Sequence, residues 1–222
     1  MEKRILFKWK HYHYDIILQT VRWYLRYNLS FRDLVEMMEE RGLSVAHTTI
    51  MRWVHQYGPK LNKRICRHLK QTNDSWRVDE TYIKVKSQWV YLYRAVDSKR
   101  NTIDFYPSKA RNHKAARRFF KKALQSFHIS EHRVVTVDKN PAYPIAVEEL
   151  RKEKKMLLGI QLRQVNYLNN IVEQDHRFIK KRVRSMLGLK SFCTATSIIS
   201  GIEAMHMVKK SNLFYWTNLS KI

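Results

Sequence analysis

The sequence predicts an all-α segment over residues 1–72, followed over residues 73–222 by an α/β unit built on a mixed five-stranded sheet flanked by helices. Three observations carry this. Apolar residues recur at helical spacing through the first seventy positions. From Trp76 the pattern changes to β-rich runs with short gaps, which favour antiparallel neighbours. After Ser108, helical and strand-like segments alternate, as they do when helices cover a sheet.

Within the first part, Ile17, Val21, Tyr24 and Leu25 mark one helix from Tyr14 to Tyr27. Ser30 is placed to cap a second helix, with Asp33 approximating a capping box and Phe31, Leu34, Val35 and Met38 as its buried side. Gly42 supplies the left-handed residue that closes it. A third helix, AHTTIMRWVHQY, turns Ile50, Trp53, Val54 and Tyr57 inward and is expected to stop at Gly58-Pro59. His47, Thr48, Arg52 and His55 are left facing outward. Two short helices joined by a tight turn, the second polar and basic near its start, form the pattern of a DNA-binding helix-turn-helix. A ligand-free three-helix bundle is the competing account. Lys60 to Lys70 reads as a basic connecting helix, and Gln71 to Ser75 as the boundary.

The second part opens with three strand-like segments, WRVDETYIKV, WVYLYRAVD and NTIDFYPS. A helix follows from His113 to about Phe127, then a short strand, RVVTVD, ending at Asp138. A helix near Tyr143 to Lys154, a strand IQLRQV, a helix from Asn170 to Lys190 and a last helix from Phe192 to Lys209 complete the series. The order β-β-β-α-β-α-β-α-α is that of the ribonuclease H-like fold, in which the first and fourth strands lie side by side.

Lys and Arg number 43 against 19 Asp and Glu, a formal net charge of +24. Such an excess repels itself and calls for a polyanionic partner, most simply nucleic acid. Basic runs concentrate it: seven Lys or Arg in the fourteen residues from Lys109 to Lys122, and five in the eight from Arg177 to Arg184. No stretch approaches the roughly 18 uncharged apolar residues of a membrane span, and Cys66 and Cys193 stand apart without a CxxC partner. A cytoplasmic, nucleoid-associated protein is expected.

Three carboxylates stand out. Asp79 lies in the first strand and Asp138 at the end of the fourth, which the fold makes neighbours. Glu173 starts a helical face that continues through Arg177, Lys180 and Arg184, beside an apolar stripe of Val172, Ile179, Val183 and Met186. Two carboxylates about 4 Å apart repel by roughly 4 kcal/mol at an effective dielectric near 20. Divalent cations reverse that sign, and hard oxygen ligands suit Mg²⁺ or Mn²⁺ rather than zinc. Each acid has a plainer role available. Asp79 could pair with Lys84, Glu80 could be the ligand in its place, Asp138 could cap the next helix, and Asp97, Asp104 and Asp175 lie in comparable positions.

The sequences around these acids, WRVDETYIKV, VDKNPAYP and NNIVEQDHRFIKKR, resemble the DDE transposases of bacterial insertion-sequence family six, in the retroviral integrase superfamily. The 34 residues between Asp138 and Glu173 match that family's interval, and Lys180 matches its basic residue on the same helix. The resemblance covers nearly the whole chain. It implies binding of terminal inverted repeats, release of 3′-hydroxyl ends and their joining to target DNA, generally by a copying, cointegrate-forming route. It implies two Mg²⁺ ions, with Mn²⁺ as substitute, held by Asp79, Asp138 and Glu173, and DNA-backbone contact by Lys180 with Arg177, Lys181 and Arg184 nearby. Joining two ends in one event implies a homodimer or larger assembly. A helix-turn-helix regulator would need no metal. A nuclease for RNA–DNA hybrids would have no use for a helix that reads a major groove.

Overall fold

The computed structural model describes residues 11–69, 71–126, 133–166, 169–186 and 189–210, excluding the side chains of residues 169–175 and 185. Three helices come first: α1 (Tyr14–Arg26), α2 (Phe31–Glu39) and α3 (His47–Cys66). Then come β1 (Ser75–Val85), β2 (Gln88–Asp97), β3 (Thr102–Ser108), α4 (His113–Leu124), β4 (Val134–Val137), α5 (Ala142–Lys152), β5 (Gln161–Gln164), α6 (Asn169–Ser185) and α7 (Phe192–Lys210).

The β-rich runs form one sheet in the order β3-β2-β1-β4-β5. β1, β2 and β3 pair antiparallel, while β4 lies parallel to both β1 and β5. This is the mixed five-stranded, ribonuclease H-like arrangement expected from the element order. The β4 contact with β1 spans only Ser75–Arg77 opposite Val134–Thr136. Just beyond that pairing β1 reaches Asp79 and β4 reaches Asp138, so the two acids emerge where the strands part.

Each face of the sheet is covered by its own apolar cluster. On one side Trp76, Val78, Tyr93, Val135 and Val137 pack against Phe119 and Phe120 of α4 and Tyr143 and Leu150 of α5. On the other, Ile83, Val85, Val90 and Leu92 join Ile179 of α6 and the apolar residues of α7. That second cluster continues without a break into Ile17, Leu25, Ile50, Val54 and Leu61 of the first three helices. The core therefore crosses the expected boundary at residues 72–73.

Local signals at the start behave as the sequence suggests. Ser30 Oγ accepts from the N–H of Asp33 at 3.1 Å, and Asp33 Oδ2 accepts from the N–H of Ser30 at 2.8 Å, a reciprocal capping box. Gly42 sits at φ +71°, and the Gly42 and Leu43 N–H groups close the end of α2 on the Glu39 and Met38 carbonyls. The expected stop at Gly58-Pro59 does not occur: α3 runs through both residues and absorbs most of the predicted connecting helix. Packing explains it. Gly58 is buried against α7, where an added Cβ would stand 2.7 Å from the Ser197 carbonyl oxygen. Burial of Tyr57, Leu61 and Ile65 on the same helix outweighs the hydrogen bond lost at Pro59.

The strand and helix bounds of the second part fall within a few residues of expectation. Phe127, expected at the inner end of α4, and the side chain of Val172, expected in the α6 stripe, lie outside the described residues. No described helix is long and apolar enough to cross a membrane.

Candidate active site

Alternation along β1 sends Asp79 and Glu80 to opposite faces of the sheet, yet at the gap between β1 and β4 both reach Asp138. Each of the three offers an oxygen, and these oxygens lie within 4.8 Å of one another. They line a cleft of about 380 Å³ together with Tyr82, Arg111, Lys139, His176 and Lys180. Asp79 is 9% exposed.

The three acids are held differently. Asp79 Oδ1 accepts from the Glu80 N–H at 2.9 Å, and its Oδ2 lies 3.5 Å from His176 Nε2. Asp138 Oδ1 accepts from the Asn140 N–H at 3.1 Å, within the turn before α5 and not as the cap of that helix, whose N-cap is Pro141. Glu80 Oε1 accepts from Asn140 Nδ2 at 3.1 Å and lies 3.4 Å from Arg111 Nε. Arg111 also reaches Asp138 Oδ2 at 3.5 Å. Burial and then the charge of Asp138 push the Glu80 carboxyl above its ordinary value, against the pull of Arg111. Arg111 contacts Glu80 and Asp138, Lys139 and Lys180 line the same cleft, and the three acids present oxygens close enough to share one ligand. A hard divalent cation fits that donor set.

α6 supplies another wall. His176 and Lys180 both line the cleft, and Glu173 stands about one helical turn before His176 and about two before Lys180 on the same helix. The Glu173 side chain, like that of Asp175, lies outside the described residues. Arg177, Lys180, Lys181 and Arg184 are exposed. One member of the basic run turns inward instead. Arg182 is 3% exposed, donates to the Tyr24 and Leu29 carbonyls and stacks 4.9 Å from the Tyr24 ring. Burial lowers its guanidinium to about 10. Arg182 therefore fastens α6 to α1 and adds nothing to an external basic track.

Behind Asp79 is a buried polar line that the sequence reading did not single out. His176 Nδ1 lies 3.5 Å from an Arg94 nitrogen, and Arg94 pairs with Glu203 of α7 at 2.6 Å. Thr102 accepts from the same guanidinium at 3.2 Å. Burial lowers the His176 imidazole, with Asp79 pulling it up and Arg94 pushing it down. The available signal was mutual isolation: Arg94 is the one charge within LYRAV, and Glu203 the one within SIISGIEAMHM.

Among the other acids, Asp97 accepts from the backbone and side chain of Asn101 and closes the β2–β3 turn. Asp104 pairs with Lys122 at 2.7 Å on the far edge. Neither belongs to the cleft. Of the helix-turn-helix candidates, His47, Thr48 and Arg52 are exposed on the first half of α3, and His55 is half-buried.

Comparison with known proteins matches residues 73–212 to the DDE domain of IS240-type transposases. The chain is 37% identical over 206 residues to the transposase for insertion sequence-like element IS431mec of Staphylococcus aureus, covering 93% of this chain and 89% of that one. It is equally similar to the transposase for insertion sequence element IS257 in transposon Tn4003, also of Staphylococcus aureus, with the same coverage. Among solved structures, the HTLV-2 integrase catalytic core domain in complex with magnesium (dimeric form) aligns at TM-score 0.45 and 17% identity, over 60% of this chain and 85% of that one. The catalytic core domain of BIV integrase aligns at TM-score 0.46 and 15% identity, over 67% and 97%. With a family match across most of its length and the acid cleft at the parting of β1 and β4, the chain belongs to the DDE transposases of insertion-sequence family six.

Proposed function

We propose that this transposase binds the terminal inverted repeats of its element, nicks them to free 3′-hydroxyl ends and joins those ends to target DNA, by a replicative, cointegrate-forming route. The observation that carries the reading is the convergence of Asp79, Glu80 and Asp138 oxygens in a cleft that Lys180 also lines.

Asp79, Asp138 and Glu173 are the residues to hold the metal. Two bound Mg²⁺ ions, or Mn²⁺ in their place, would lower the pKa of the attacking water or hydroxyl and neutralise charge on the leaving oxygen. The chain's own groups do the rest. His176 and the Glu80 N–H fix the Asp79 carboxylate. Asn140 and Arg111 hold Glu80 back as a supporting acid rather than a ligand. Lys180 meets a phosphate oxygen beside the cut bond, and Arg177, Lys181 and Arg184 continue the backbone contact along α6.

Residues 1–72 act as the DNA-reading segment and 73–222 as the catalytic one. α2 and α3 form the helix-turn-helix, with His47, Thr48, Arg52 and His55 toward the DNA, a role supported by exposure along the start of α3. Joining two ends in one event requires at least a homodimer. The protein works in the cytoplasm at the nucleoid, where its DNA is.

Incubation of the full chain with labelled terminal-repeat DNA and Mg²⁺ tests the reading. Nicked and strand-transferred products are expected. Specific binding without either product in Mg²⁺ or Mn²⁺ would reduce the protein to a DNA-docking module.

A further inference from the structure

The β1–β2 hairpin carries an aromatic strip that the phosphoryl-transfer chemistry leaves unused. Register sets Tyr82 opposite Tyr91 and Lys84 opposite Trp89. With alternating side chains, these share one face with Glu80. The strip begins at the acid cleft, which Tyr82 itself lines, and runs to the hairpin tip. Tyr82 lies 5.2 Å from Tyr91 and 6.4 Å from Trp89, centroid to centroid. Even so, Tyr82 is 46% and Trp89 64% exposed. Exposed rings that adjoin one another form a contiguous apolar surface, the kind that binding sites use.

The strip is held in place. The tip turns through Lys86 and Ser87, both at positive φ (47° and 63°), the two-residue form that matches strand twist. The Lys86 N–H donates to the Leu189 carbonyl at 2.7 Å, tying the tip to the segment after α6. A fixed platform loses little freedom when it takes a ligand.

Charge selects the occupant. Lys84 Nζ lies 5.9 Å from the Trp89 ring, Arg111 and Lys180 stand at the cleft end, and the chain as a whole carries +24. A second copy would bring like charge to this face, whereas a nucleic acid brings opposite charge together with flat, stackable bases. In a duplex those faces are already stacked, so the ring surface suits a base that has left its pair. We propose that Tyr82 and Trp89 form a stacking platform for an unpaired nucleobase of the DNA strand whose phosphate occupies the acid cleft. Glu80 and Lys84 are about 13 Å apart along the strand, which places that base within a few nucleotides of the phosphate. The proposal rests on the cleft being a DNA site.

Binding of the full chain to terminal-repeat DNA with a short unpaired overhang, and to the fully paired duplex, tests it without any catalytic readout. The overhang carries 2-aminopurine. Wild type is expected to quench its fluorescence and to favour the overhang DNA. Trp89→Ala should lose the quenching and about tenfold in overhang affinity, while duplex affinity stays within about twofold. Trp89→Phe should keep most of both. Equal overhang affinity of Trp89→Ala and wild type, or an equal loss on both DNAs, overturns the platform. A wild-type assembly that Trp89→Ala splits in sedimentation also overturns it, making the strip a contact between copies. Wild-type binding to neither DNA would instead overturn the underlying reading of the cleft, and the platform with it.

Discussion

Arg94 and Glu203 form an ion pair with neither side chain exposed: Arg94 Nε donates to Glu203 Oε1 at 2.6 Å, and a second nitrogen to Oε2 at 3.2 Å. The pair joins the centre of β2 to α7, and through His176 it stands directly behind Asp79. Removing one partner of a buried pair leaves an uncompensated charge, which costs about 3–5 kcal/mol. Glu203→Gln is therefore expected to lose about that much stability in urea denaturation. The double variant Arg94→Met/Glu203→Leu should recover most of it. It should still join DNA more slowly than wild type, because His176 has lost its fixed neighbour. Full joining activity in the recovered double variant would show that the pair only stabilises the fold.

The three proposed metal-holding acids should separate from Glu80 in what their loss costs. Asp79→Asn, Asp138→Asn and Glu173→Gln are each expected to retain end binding and lose nicking and joining by about 10³-fold or more, the rate equivalent of roughly 4 kcal/mol. Glu80→Gln should cost far less, about tenfold, because its oxygen is occupied by Asn140 and Arg111. Lys180→Ala should lower joining more than binding, since Lys180 lines the acid cleft itself. End binding and product formation, measured on the same variants, distinguish these outcomes. Equal losses for Glu80→Gln and Asp138→Asn would make Glu80 a ligand.

Element order, sheet class and the adjacency of Asp79 and Asp138 were legible because strand alternation and helical period are local signals that one topology satisfies. Three features were not. The helix break at Gly58-Pro59 is a valid local signal overridden by a contact with α7, where Ser197 lies 139 residues further along the chain. Arg182 reads as one more cation in a basic run, and only its place on α6 relative to Tyr24 turns it inward. The line from Glu203 to His176 joins residues from three separate elements, so no local spacing announces it.

His206 gives the fold a pH response of its own. Burial, then the positive charges of Lys210, Arg94 and Lys209, lowers its imidazole from 6.5 to about 3. Its ring stacks on Phe178 at 3.5 Å, and Arg26, Lys181, Arg182 and Lys209 line the adjoining cleft. Between those two values the unfolded chain binds a proton that the folded chain refuses. Stability is thus complete above about 6.5 and falls as pH drops toward 3. Wild type should lose about 3 kcal/mol more than His206→Phe between pH 7.5 and 4.5. Urea midpoints of the two proteins at both pH values check this, and parallel losses would remove His206 as the source.

The crossing of α3 and α7 sets helix propensity against packing, and the two predict opposite signs. Replacing glycine by alanine inside a helix should stabilise it by about 1 kcal/mol where space is free. At Gly58 the new Cβ would meet the Ser197 carbonyl oxygen at 2.7 Å, and at Gly201 it would meet the Leu25 methyls at 2.6 and 2.7 Å and the Gly58 Cα at 3.2 Å. The obstacle at Gly58 is helix backbone, which moves only with the whole of α7, whereas Leu25 can change rotamer. Gly58→Ala is therefore expected to destabilise by about 1–3 kcal/mol, and Gly201→Ala by less. Because this crossing joins the first three helices to the sheet's core, loosening it should also weaken end binding while leaving the acid cleft intact. Denaturation midpoints measure the first effect and titration with terminal-repeat DNA the second. A Gly58→Ala protein more stable than wild type would show that the helices can separate there at little cost.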